Sequence, residues 1–236
     1  MMNNIPTKVS YTGLNPLDPI TSMKSEKSTL AAVGLNNLGN TCFLNSVVQC
    51  LAHVSYLTEF CRSDQVPRNK PLGVAFADLI VSLHTAQSAI SPTNFKAQIG
   101  KYARQFVGYA QHDAQEFLRC LLDYLNTEWS RVEKKAYVEL EDRSHLTIEE
   151  QARLAFHDYA QRYSSIVADC FNGFLRSTLT CCMCGFQSVT FDAFWDLSLP
   201  IPQQSGPCSL MDCFREFTKA EVILIECIYI YHCILL

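Results

Sequence analysis

Residues 34–51 read Gly-Leu-Asn-Asn-Leu-Gly-Asn-Thr-Cys-Phe-Leu-Asn-Ser-Val-Val-Gln-Cys-Leu, which puts Cys42 where a glycine-bearing loop turns into an amphipathic helix. The first amide N–H groups of a helix lack internal acceptors and its dipole is positive there, so a thiolate is favoured over a thiol. Asn40 and Thr41 are expected as N-cap residues. Phe43, Leu44, Val47, Val48 and Leu51 recur at intervals of three and four and give the helix a face to bury. Asn37, five residues upstream, brings a side-chain amide within reach of Cys42 as a donor to an oxyanion, helped by nearby main-chain N–H groups. Taken alone, the stretch also accommodates a structural cysteine buried on an ordinary helix.

Two further stretches bear on that choice. Residues 107–118, Val-Gly-Tyr-Ala-Gln-His-Asp-Ala-Gln-Glu-Phe-Leu, open another helix about 65 residues downstream of Cys42. Leu-Thr-Cys-Cys-Met-Cys-Gly at 179–185 precedes Phe-Asp-Ala-Phe-Trp-Asp-Leu-Ser-Leu-Pro-Ile-Pro at 191–202. With all three in this order and spacing, the chain resembles the ubiquitin-specific protease family of cysteine deubiquitinases over about 34–222. The resemblance implies an α+β, papain-like cysteine protease fold of the ubiquitin-specific protease type. A disordered leader at 1–32 would precede a partial catalytic domain at 33–222, divided into a helical thumb at about 33–168 and partial β fingers at about 169–222. The palm is expected to be largely missing, and 223–236 reads as an atypical apolar tail.

The implied activity is thiol-dependent hydrolysis of peptide and isopeptide bonds at the C-terminal glycine of ubiquitin, with ubiquitin and ubiquitinated proteins as partners. On that resemblance Cys42 is the nucleophile and Asn37 the oxyanion donor. Asp113 hydrogen-bonds the extended ubiquitin tail, whose arginines favour a carboxylate, and Glu116 supports it. Asp113 also suits the N-cap of its own helix. Catalysis needs no cofactor, whereas Cys181 and Cys184 make half of a structural zinc site, because tetrahedral zinc takes four ligands and the family's second C-x-x-C is not found here. Thiol catalysis needs an imidazole to hold the sulfur ionised and to protonate the leaving amine. The family's histidine box, with its Asp or Asn partner, is likewise not found, so the chain as given is expected to be inactive. The alternative is a non-catalytic ubiquitin-binding or regulatory fragment.

Composition excludes several classes. Of the 236 residues 48% are hydrophobic, enough for a substantial core. The net charge of −4 and pI near 5.9, with 19 basic residues in no dense run, argue against a nucleic-acid partner. The apolar run 222–236 is short for a membrane span and is interrupted by Glu226, and residues 1–33 show no secretory signal. Twelve cysteines without a disulfide framework point to a reducing compartment, cytoplasmic or nuclear.

Between the motifs, periodicity predicts helices over 72–86, from Ser91-Pro92 with Ser91 as cap, over about 114–129 with Asp113 or His112 as cap, and over 147–166 with a Thr147/Glu150 capping box. Residues 130–147 read as an exposed connection, and 171–202 as two antiparallel strands joined through 181–185. Those strands are expected to expose an edge for want of partners.

Overall fold

The computed structural model describes residues 33–134, 137, 142–203, 206–224 and 228–235, all within one compact unit spanning 31–236. The leader expected at 1–32, and residues 135, 136 and 138–141 of the connection expected over 130–147, lie outside the described residues. In chain order the elements are α1 (Cys42–Ala52), α2 (Ser55–Arg62), α3 (Pro71–Thr85), α4 (Thr93–Tyr102), α5 (Ala114–Glu128), α6 (Ile148–Arg162), α7 (Ile166–Phe171), β1 (Gly173–Cys181), β2 (Gln187–Phe194), α8 (Leu210–Phe217), β3 (Glu221–Leu224) and β4 (Ile228–Leu235).

The core lies among the helices. The predicted apolar face of α1 is buried, as are Phe76, Ile80 and Leu83 of α3, Phe95 and Ile99 of α4, and Phe117, Leu121 and Leu125 of α5. These stripes meet because each helix has one apolar face and no other way to remove it from water. One cap comes from across the lobe. Lys70 offers α3 no side-chain cap; instead the Glu128 carboxylate, at the end of α5, accepts the N–H of Gly73 at 2.6 Å and the Tyr102 hydroxyl at 2.5 Å. A Cβ at Gly73 would collide with the Trp129 indole and this carboxylate.

Local caps decide where the other helices begin and end. Ser91 does not cap α4: its hydroxyl accepts from Asn36 Nδ2 at 3.0 Å, and the helix starts at Thr93. Thr147 and Glu150 close the predicted capping box on α6. The helix expected over 147–166 ends early, at Arg162, and a separate α7 begins at Ile166, where Ser165 caps it through the N–H of Ala168 and also donates to Asn126. Serine side chains that satisfy local backbone donors favour a fresh start over continuation.

β1 and β2 pair antiparallel from Gly173↔Phe194 to Thr180↔Gln187, as expected for the 171–202 hairpin. The sheet order is β2-β1-β4-β3. β4 therefore covers the edge of β1 that the sequence suggested would stay open, from Leu175↔Leu235 to Cys181↔Tyr229. Phe156 and Tyr159 of α6 pack on Phe174 of β1, at ring separations of 3.9 and 5.4 Å.

Candidate active site

Cys42 is the first residue of α1 and its side chain is exposed. The loop before it is gathered chiefly around one side chain. Asn37 Oδ1 accepts the N–H of Gly39 and of Thr41, both at 3.0 Å, and the Thr41 hydroxyl at 3.2 Å. Thr41 occupies the N-cap position without capping, since its buried hydroxyl accepts from Leu38 N–H instead. Asn40, the other expected cap, turns through the left-handed region at φ 52° and donates to the Tyr109 carbonyl at 2.7 Å. Its short amide side chain tolerates that conformation.

Two consequences follow for the sulfur. The first bond into the helix runs from Asn45 N–H to Thr41 O, and the N–H groups of Cys42, Phe43 and Leu44 take no acceptor among the described residues. These donors and the helix dipole favour negative charge at the mouth of α1. Because the carbonyl oxygen of Asn37 is committed inward, its Nδ2 is left without a partner among the described residues.

The second helix mouth is brought beside the first by aromatic packing. Phe43, next to Cys42, meets His112, next to Asp113, edge to face at 5.1 Å, and both rings contact Phe106. Asp113 caps α5, with Oδ1 accepting from Gln115 N–H at 2.7 Å and Glu116 N–H at 3.2 Å; both Asp113 and Glu116 are exposed. The loop between is clamped by Lys96, which donates to Gly108 O at 2.8 Å and lies 4.9 Å over the Tyr109 ring. Gly39, at φ 93°, touches that ring so closely that a Cβ would come within 2.6 Å of Tyr109 Cδ1.

Sequence reasoning missed Tyr109, Lys96 and Asp196. Asp196 joins the end of the β1–β2 segment to α5, accepting from Gln115 Nε2 at 2.6 Å and pairing with Arg119 at 3.5 Å. Nothing local marks Lys96 or Asp196, whose partners are 12 and 81 residues away. Gly108, at φ 94°, is the local signal beside Tyr109.

His53 follows the last residue of α1, about 16 Å along the helix from Cys42 at about 1.5 Å per residue. It bonds the Gln49 carbonyl, and His84 bonds the Ala52 carbonyl. Burial, followed by the charge of Arg62, holds the His84 imidazole below its ordinary pKa. Cys181 is buried at the end of β1, whereas Cys182 and Cys184 are exposed on the turn. Among the described residues no three His, Cys, Asp or Glu side chains come together to hold a metal ion.

A helical lobe presenting a cysteine at a helix mouth, followed by an antiparallel sheet, is the α+β papain-like arrangement of the ubiquitin-specific proteases. The chain belongs to the ubiquitin carboxyl-terminal hydrolase family, whose sequence model matches residues 33–203. It is 44% identical over 210 residues to ubiquitin carboxyl-terminal hydrolase 2 of Rattus norvegicus, covering 84% of this chain and 34% of that protein. The protein of the same name from Gallus gallus is 45% identical over 211 residues, covering 85% and 59%. Ubiquitin carboxyl-terminal hydrolase 10 of Arabidopsis thaliana is 42% identical over 189 residues, covering 76% and 20%. The chain spans about a third of the length of the mammalian relatives named hydrolase 2. No helix among the described residues is long and apolar enough to cross a membrane.

Proposed function

We propose that this chain carries the nucleophile and tail-recognition half of a thiol-dependent deubiquitinase. The observation that carries the reading is the exposed Cys42 at the mouth of α1, with three N–H groups behind it and the Nδ2 of Asn37 that take no partner among the described residues. Cys42 attacks the carbonyl carbon of the C-terminal glycine of ubiquitin. Asn37 Nδ2 and the first-turn N–H groups stabilise the oxyanion that forms. Asp113 uses one oxygen for its cap and offers the other to the arginines of the ubiquitin tail, with Glu116 adding negative charge.

A second reading has its own observation. His53 is a full helix length from Cys42, His84 is committed to a carbonyl of α1, and the His112 ring packs edge-on against Phe43 and Phe106; this reading assigns none of the three as the base. These 236 residues are then expected to bind ubiquitin, and to react once through Cys42, without turnover. A structural zinc, held in part by Cys181 and Cys184, belongs to the longer proteins of the family rather than to the chemistry at Cys42. The free cysteines suit a reducing cytoplasmic or nuclear setting.

Incubation with ubiquitin bearing a C-terminal electrophile tests the reading. One adduct per chain at Cys42, lost in Cys42→Ser and slowed in Asp113→Ala, is expected, with no release from a ubiquitin-amide reporter. An adduct spread over Cys50, Cys182 and Cys184 as readily as over Cys42 would reject the nucleophile assignment. Sustained turnover would reject the binding-only alternative.

A further inference from the structure

A second pair of thiols stands outside this site, at the start of α8, beyond residue 203 where the family match ends. Ser209 is the N-cap of α8: its hydroxyl accepts the N–H of Asp212 at 3.2 Å, while Asp212 Oδ2 accepts the Ser209 N–H at 3.0 Å and the Ser209 hydroxyl at 2.6 Å. That reciprocal box holds the backbone of the first turn. In such a turn the residue before the cap and the fourth helical residue are drawn together, usually as an apolar staple. Here both are cysteines, Cys208 and Cys213, and their sulfurs lie 3.7 Å apart. Both are free, with Cys208 exposed and Cys213 half-buried.

We propose that Cys208 and Cys213 are a redox-responsive dithiol, converted by a small-molecule disulfide such as oxidised glutathione into an intrachain disulfide that staples the first turn of α8. The thiolate of Cys208 attacks one sulfur of the small disulfide, whose S–S bond breaks to release one thiolate. The thiolate of Cys213 then attacks the Cys208 sulfur and releases the second. Two protein thiols give up two electrons and two protons, and the reagent leaves as two thiols. The sulfurs must close from 3.7 Å to about 2.05 Å, a movement within reach of side-chain rotation on a held backbone. Loss of solvation, the hydrogen bond to Cys213 and the charges of Cys213 and Asp212 push the Cys208 thiol up. The bond forms by exchange when the thiol–disulfide poise shifts.

The test equilibrates the whole chain in glutathione buffers of stepped ratio, traps free thiols by alkylation, and digests with chymotrypsin, which cuts after Leu210 and Met211. Peptides bearing Cys208 and Cys213 are expected to remain joined in oxidising buffer and to separate on reduction. Either Cys208→Ser or Cys213→Ser removes the joined species, and Cys42→Ser leaves it unchanged. The folded chain is expected to half-oxidise this pair at a ratio about tenfold more reducing than the chain in guanidinium, a difference of about 30 mV. Equal midpoints in the two states, separate alkylated peptides across the series, or joining of Cys208 mainly to Cys182 or Cys184 would each overturn the proposal.

Discussion

At the residue scale, reactivity among the cysteines is set by burial and position. Cys61 and Cys170 are pushed up to about 12, chiefly by burial, and exist as thiols at any ordinary pH. Cys42 is exposed beside amide donors that take no acceptor among the described residues. Site-resolved iodoacetamide labelling of the native chain is expected to modify Cys42 while Cys61 and Cys170 are spared until denaturant is added; early labelling of Cys61 would contradict the burial. Gly39 combines φ 93° with contact against the Tyr109 ring. Gly39→Ala is expected to cost about 1–3 kcal/mol and to slow Cys42 labelling by the ubiquitin electrophile, read by denaturant midpoint and adduct rate.

The bond between Tyr102 and Glu128 gives the lobe a pH signature. The Tyr102 phenol is raised from 10.0 to about 12, first by its hydrogen bond to Glu128 and then by burial and the carboxylate's charge. A raised pKa means the fold favours the protonated phenol. Its contribution is complete below the unfolded value of 10.0 and disappears as pH rises through about 12. Denaturant midpoints between pH 10 and 12 are expected to fall more steeply for the wild type than for Tyr102→Phe. Parallel curves would show that the phenol carries no such linkage.

At the element scale, α5 joins the proposed recognition residue Asp113 to the stability of the lobe. Its start is capped by Asp113, its middle fills the core, and its end caps α3 through Glu128. Asp113→Ala is expected to cost about 1 kcal/mol by removing the cap. Asp113→Asn keeps an acceptor at the cap and removes the charge, so thermal stability near wild type with weaker ubiquitin binding separates the two roles. Equal losses of stability in both variants, with binding unchanged, would leave Asp113 a cap alone.

At the scale of the whole molecule, burial is uneven. The helices α1, α3, α4 and α5 share the large core, whereas α6 and α8 bury no residue fully. Among the described residues β2 and β3 are the outer strands of the sheet. Native-state hydrogen exchange is expected to protect amides of α3 and α5 longest and those of β2 and α8 least, because opening the latter exposes little apolar surface. Protection of β2 equal to that of α5 would mean that the sheet unfolds only with the lobe.

Much of this architecture is written locally. The apolar stripes of α1, α3 and α5, the capping box of α6, the Asp113 cap and the β1–β2 hairpin follow from periodicity and neighbours within a few residues, and all are present. The same local logic singles out Cys42 at a helix mouth. Contacts across the chain decided the rest. Asn37 accepts three bonds inside the loop before Cys42, while Asn40 and Thr41 bond elsewhere than at the helix cap; Asn36 donates to the hydroxyl of Ser91; Glu128 caps a helix 55 residues earlier; and Asp196 reaches back to Gln115. A polar group bonds the partner that folding brings nearest, and that choice is made only once the apolar faces have met.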